Sequence, residues 1–338
     1  MMLKVTFYSY KGGVGRTLAM LNVAALLAQR GRRVLVVDFD LEAPGLGLSA
    51  LTRAEAEQLA GARPGVSDFL LDRWASSATP MSAYVYPALT ERFGERLHVM
   101  TAGTRAGELA RKIEALFREP QGDPAHLFVL LLSEIEAFIA PDYVFFDSRT
   151  GLADVAGVCT MELPDVVVAV SGLNEQNIGG MEGALAQMRE YWTAVSRAVA
   201  TLLVLSPVPR EADLAPRGGK VESIRNVFRS LLDQPIELAA AMQRHPLGAR
   251  IHEAQARLLA PLIQELPRIQ PRFPRLERED LLHMLEYDPR VPLGDVLLGD
   301  PGVTLASQYQ LLARSIARAT ANDTFDVPKA VEPPPILV

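Results

Sequence analysis

The sequence predicts an α/β fold: a mostly parallel, twisted sheet with helices on both faces, plus a helical insertion late in the chain. Three observations lead there. Short apolar runs alternate with longer helical patterns through most of the 338 residues, the signature of strands joined by crossover helices. Several of those runs are rich in Val, Leu and Phe without polar alternation, as strands covered on both faces are. The order strand, glycine-rich turn, helix, strand is complete by residue 40.

The first strand is expected over Leu3–Tyr8 and the second over Arg33–Asp38. Between them a helical pattern runs over Thr17–Arg30, and Gly31 ends it by taking the left-handed conformation that closes many helices. Further strands fall at Leu97–Thr101, Tyr143–Asp147, Val166–Val170 and Leu202–Leu205, with a long helix at Gly180–Ala200. Residues 234–280 differ. Pro235, Pro246, Pro261, Pro267, Pro271 and Pro274 interrupt helical pieces with little strand signal, so an irregular helical insertion or subdomain is expected there. A strand near Leu281–Tyr287 and a closing helix over Leu305–Ala319 complete a single domain of residues 1–320. The tail, residues 321–338, carries Pro333, Pro334 and Pro335 and few core-forming residues, and is expected to be disordered. No internal repeat is present.

Composition narrows the function classes. Hydrophobic residues at 49% suffice for a sizeable core, and charged residues at 22% are those of an ordinary globular chain. A net charge of −6 gives no bulk attraction to polyanions. The single cysteine, Cys159, excludes a disulfide framework within the chain and argues against a cysteine-held metal or cluster. His98, His126, His245, His252 and His283 show no metal-ligand spacing. No apolar run reaches the roughly 20 residues of a membrane span. The N-terminus passes straight into Val5-Thr6-Phe7, unlike a signal peptide, and the expected compartment is the cytoplasm.

The chemistry is concentrated in Ser9-Tyr10-Lys11-Gly12-Gly13-Val14-Gly15-Arg16-Thr17. Glycines there let backbone N–H groups approach phosphate oxygens without a Cβ in the way. The helix that follows adds aligned donors and partial positive charge. The ordinary phosphate-loop pattern is G-x-x-x-x-G-K-[ST], with the hydroxyl of the last residue on Mg²⁺. Here Tyr10 stands in place of the first glycine and Arg16 in place of the lysine, while Lys11 opens the loop. The run K-G-G-V-G-R-T resembles the deviant Walker A motif of the MinD/ParA family of P-loop NTPases, K-G-G-x-G-K-[ST], in a KGGVGR variant form.

That resemblance implies ATP and Mg²⁺ as cofactors, bound by Lys11, Gly12, Gly13, Val14, Gly15, Arg16, Thr17 and Leu18. It implies a homodimer sandwiching ATP, with Lys11 reaching the phosphates of the opposite subunit, and catalytic roles for Lys11, Arg16 and Asp40. Arginine is a wider, planar fork than lysine. It can neutralise phosphate bidentately, but the transition state tolerates little misplacement, so binding is expected to survive better than turnover.

Two strands end in acids. Val34–Asp40 places Asp38 and Asp40 two residues apart, and on a strand such positions share a side, so both carboxylates are expected to face the phosphates. The family has a matching D-x-D, which implies that Asp40 orients the attacking water and Asp38 supports Mg²⁺. The turn-rich Leu41–Gly47 after it suits a switch. Tyr143–Gly151 is the second: Asp147 resembles the Walker B aspartate, joining Thr17 and Asp38 as implied metal residues, and Gly151 sits where a second switch needs freedom. Arg149 could pair with an acid or face a partner. For the base, candidates are Asn174-Glu175-Gln176 and Pro207-Val208-Pro209-Arg210, where Pro207 and Pro209 would form a rigid wall and Arg210 would follow.

The leading expectation is therefore a Mg·ATP-dependent dimerising switch with slow hydrolysis that controls an unknown protein partner. The alternative is a non-hydrolysing nucleotide sensor or scaffold in a multi-protein signalling or defence system. Asp40 and Thr17 favour the first, Arg16 the second. A nitrogenase-reductase-like role lacks its cysteines, and a tyrosine-kinase role lacks a tyrosine-rich tail beyond Tyr309. The stretch Asp323–Pro328 offers no basic amphipathic membrane anchor. For DNA, Arg268, Arg272, Arg275 and Arg278 are interleaved with Glu277, Glu279 and Asp280 and read better as a solvated face, so DNA binding stays open but without support.

Overall fold

Strands without polar alternation need cover on two sides, and the computed structural model supplies it. The structure describes residues 2–46, 63–118, 125–148, 157–195, 197–210, 217–233, 236, 282–287 and 306–319. Its strands are β1 (Leu3–Tyr8), β2 (Val34–Phe39), β3 (Tyr86–Pro87), β4 (Leu97–Met100), β5 (Tyr143–Ser148), β6 (Val166–Ser171), β7 (Ala200–Val208) and β8 (Leu282–Glu286). They form one sheet in the order β3-β4-β2-β5-β1-β6-β7-β8. Every pairing is parallel except the edge pair β3 with β4.

Alternate residues of each strand feed different layers. Val5, Val36, Phe145, Val168 and Leu202 pack under α1 (Arg16–Gln29) and the closing helix, which spans Ala306–Arg318. On the opposite face, Leu35, Val37, Val144 and Phe146 meet α2 (Val66–Trp74), α3 (Ala106–Arg118) and α4 (Ala125–Ile139). Farther along that face, Val167, Ala169, Leu203 and Leu205 meet α5 (Glu175–Ala194) and α6 (Arg217–Asp233). The closing helix is labelled α7. Each Val, Leu or Phe side chain among them taken wholly out of water contributes about 1.5–3 kcal/mol. Rings add directional contact, as where Phe39 meets Phe146 edge-on at 5.6 Å.

The expected strands and the closing helix appear within a residue or two, with three differences. β7 runs to Val208, past the expected end at Leu205, because its tail continues to pair with β8. The long helix expected over Gly180–Ala200 is shifted to Glu175–Ala194. Asn174 caps it, its side chain accepting from Asn177 N at 2.8 Å, and Ala200 already belongs to β7. The two-residue β3 carries too little pattern to be read from sequence. The insertion expected over 234–280, apart from position 236, lies outside the described residues, as do Arg149, Gly151 and the tail 321–338.

Two crossovers leave β1 central. From β1 the chain moves to β2 on one side, and from β5 it returns past β1 to β6 on the other. The carboxyl ends of β1, β2 and β5 therefore open at a switch point, the usual location of a ligand crevice in such sheets.

Candidate nucleotide-binding site

β1 delivers the chain to a turn that only glycine can make. Gly13 and Gly15 have φ of +79° and +78°, a region L side chains avoid. A Cβ added at Gly12 or Gly13 would meet nothing within 4 Å, so open space lies over the turn. Gly15 caps the 14-residue α1 without a side-chain hydrogen bond, and no acid stands in its first turn. The first N–H groups of a helix have no partner within it, so here they present an anion site. Val14, only 5% exposed, pins the loop inward. Lys11 and Leu18 are half-buried, and Lys11 has no ion-pair partner among the described residues.

The acids arrive by register. Asp38 of β2 and Asp147 of β5 are paired positions of neighbouring strands, and both are buried. Arg16, buried beside them, turns its guanidinium toward the acids. Its Nε donates to Asp147 Oδ1 at 2.5 Å, its Nη2 to Asp40 Oδ2 at 3.1 Å and its Nη1 to Ser9 Oγ at 3.3 Å. Thr17 Oγ1 donates to the other Asp147 oxygen at 2.6 Å. The side chain read as a phosphate ligand thus bridges two carboxylates. A planar fork matches carboxylate oxygens as well as phosphate oxygens, and sequence spacing does not choose between them.

The two acids of the D-x-D run have different partners. β2 ends at Phe39, so strand alternation does not carry through to Asp40. Asp38 accepts the Asp40 and Leu46 amides, each at 3.0 Å, and thereby shapes the turn after the strand. Asp40 faces Arg16 and accepts the Ala43 amide at 3.3 Å.

Burial, then the charge of Asp147, pushes the Asp38 carboxyl up to about 7, with the two backbone donors opposing. Burial also raises Asp147 above the usual carboxylate range, against the pull of Arg16 and Thr17. For Arg16, burial works against the charged form, but Asp147 and Asp40 outweigh it and hold the guanidinium above its ordinary value.

Thr17 and Asp147 offer oxygen donors suited to Mg²⁺, a cation that prefers six oxygens. Among the described residues no group of three His, Cys, Asp or Glu forms a cage. The remaining ligands would be phosphate oxygens and water, so the residues fit a cation that accompanies a nucleotide.

The base candidates separate. Asn174 is spent as a helix cap, and Glu175 and Gln176 are in the first turn of α5. Pro207, exposed, lies inside β7, with Pro209 and Arg210 just beyond it. Ser206 Oγ lies 3.2 Å from where a Cβ on Gly15 would stand, so the end of β7 borders the phosphate loop. Sequence reading passed over Ser9, which helps hold Arg16, and Gly180, which lies under Tyr10. A glycine inside a helical pattern is a signal for the second.

Known proteins resemble this chain in sequence and in fold. A family model described as the CobQ/CobB/MinD/ParA nucleotide binding domain matches residues 5–270. The sporulation initiation inhibitor protein Soj of Bacillus subtilis is 29% identical over 117 residues, which is 33% of this chain and 44% of Soj, so the match spans less than half of that relative. The cell division ATPase MinD of Pyrococcus furiosus superposes with a TM-score of 0.53 at 19% identity, covering 95% of this chain and 100% of MinD. A plasmid partition protein of Borrelia burgdorferi B31 bound to AMPPNP gives 0.53 at 13% identity, covering 94% and 99%. At these identities the structures show the shared P-loop NTPase fold. Among the described residues no helix is long and apolar enough to cross a membrane.

Proposed function

The chain belongs to the CobQ/CobB/MinD/ParA nucleotide-binding family, and from that premise we propose that it is an ATP-dependent switch: it binds Mg·ATP, dimerises around it, and hydrolyses it slowly. The observation that carries this reading is Thr17 bonded to Asp147 directly beneath an uncapped, glycine-turned helix N-terminus. That pairing sets a hydroxyl, a carboxylate and a row of N–H donors around one point.

In this reading the amides of Gly12 to Leu18 hold the phosphates, and Thr17 and Asp147 hold the metal, which when bound neutralises phosphate charge. Arg16 exchanges its carboxylate partners for phosphate oxygens of similar geometry. Asp40 is then released to orient water. Because Asp40 and Asp38 also hold the turn at Ala43 and Leu46, that exchange reports nucleotide to the segment that follows. Lys11, at the mouth of the loop, is the residue to contact a second copy. The MinD neighbour bears the name ATPase, in keeping with hydrolysis here.

A second reading has its own observation. Arg16 is committed to both Asp147 and Asp40, and an arginine that kept them would leave a nucleotide sensor without turnover.

Light scattering with Mg·ATP and a phosphate-release assay, with Lys11→Ala as control, separate these. Dimer formation lost in Lys11→Ala, with slow phosphate release, supports the switch. Binding without phosphate release supports the sensor. No nucleotide binding sinks both.

A further inference from the structure

We propose that Tyr10 is a positioning residue whose ring, seated on Gly180 of α5, braces the phosphate loop from outside. The inference rests on the nucleotide-binding reading of that loop. An ideal Cβ on Gly180 would lie 2.1 Å from Tyr10 Cδ1 and Cε1 and 2.6 Å from Cγ, so the ring fills the space any other residue's side chain would need. Gly180 lies well inside the 20-residue helix α5, where glycine is the poorest helix former apart from proline. The neighbouring helical glycines Gly179 and Gly183 meet nothing within 4 Å, so the ring contact sets Gly180 apart.

The seat answers a departure in the loop itself. The ordinary pattern has glycine where Tyr10 stands, and a ring there must go somewhere. Here it lies on α5, still 39% exposed, and fixes the backbone from which Lys11 departs. On the far side of the loop a Cβ on Gly172, just before α5, would stand 3.6 Å from Val14 Cγ1 and 2.8 Å from Asn177 Nδ2, so little room is left there beside Val14. The loop thus lies close to the β6–α5 connection at Val14 and to α5 itself at Tyr10. Loop amides held in place before a ligand arrives spare it the ordering cost of binding.

Gly180→Ala is the direct test. It evicts the ring while favouring the helix. Hydrogen exchange at the amides of residues 11–15, measured without nucleotide, is expected to quicken several-fold, with the thermal midpoint unchanged or raised. Affinity for a fluorescent ATP analogue is expected to fall about tenfold. Tyr10→Ala should show the same exchange signature, Tyr10→Phe should match the wild type, and Gly180→Ala should add nothing in the Tyr10→Ala background. Unchanged exchange in Gly180→Ala, or a full Gly180→Ala effect without the ring, overturns the proposal. If the wild type binds no nucleotide while the exchange pattern holds, the switch reading fails and the brace stands.

Discussion

Two arginines in this protein each bridge a pair of aspartates, with opposite electrostatics. Arg105 donates to Asp68 Oδ1 at 3.1 Å and to Asp72 Oδ1 at 2.5 Å. Asp68 also accepts from Gly65 N, Thr104 N and Thr104 Oγ1. Burial pushes its carboxyl up, yet those donors outweigh it and hold Asp68 below the usual range. Arg16, between Asp147 and Asp40, leaves Asp147 and Asp38 raised. The first cluster is satisfied by its own chain and clasps the start of α2 to the end of β4. The second is crowded with negative charge and faces a turn of N–H donors. Both networks are hydrogen-bonded within the chain, but only the second holds its buried carboxylates above their ordinary range beside a glycine turn, the pattern of a candidate site.

The largest effect should come from breaking the crowded cluster. Arg16→Ala leaves the buried Asp147 without its cation, and urea denaturation should show a loss of about 3–5 kcal/mol. Millimolar Mg²⁺ should recover part of that loss, because one cation then replaces another. Asp68→Ala strands the Gly65 and Thr104 amides, for a loss of about 2–4 kcal/mol. Mg²⁺ should recover none of it, and nucleotide affinity should be unchanged. Rescue of both variants, or of neither, would erase the distinction between the clusters.

pH sharpens the same contrast. Asp38 holds its proton up to about 7 in the fold, against 3.8 ordinarily. Between those values the folded protein binds more protons than the unfolded chain, so stability from Asp38 falls as pH rises through the window. Relative to Asp38→Asn, the wild type should lose about 1–3 kcal/mol in urea denaturation between about pH 5 and about pH 8. Asp68 runs the other way: its lowered carboxyl contributes at neutral pH, and that contribution is lost as pH falls below the ordinary carboxylate value toward the lowered folded one. The smallest effect is Arg105→Ala. The side chain is 36% exposed, so solvent screening should limit the loss in thermal or urea denaturation to about 1 kcal/mol.

The strands, the glycine turn and α1 were legible because each has a local cause: unbroken Val and Phe runs, glycine at positive φ, an apolar helical pattern closed by Gly31. The partners of Arg16 were not. Asp147 depends on the register that sets it beside Phe7 at the end of β1, and register is a property of two strands far apart in sequence. The pairing of Asp40 with Arg16 lies one residue beyond the end of β2, where strand alternation gives no guide. The helix was expected to start at Gly180. The structure has Asn174 start the helix and puts a ring against Gly180. The Asp68 clasp has a local part, the acid at the third position of α2 that accepts the Gly65 amide, but its links to Thr104 and Arg105 join segments far apart in sequence.

The most direct test of the central claim is a titration with a fluorescent ATP analogue, with and without Mg²⁺. The expected result is saturable, Mg²⁺-dependent binding that ATP competes away. Thr17→Ala should weaken it at least tenfold, roughly 1.4 kcal/mol, and Arg105→Ala should leave it unchanged. Absence of saturable binding up to about 100 µM protein, or equal loss in both variants, would contradict the account.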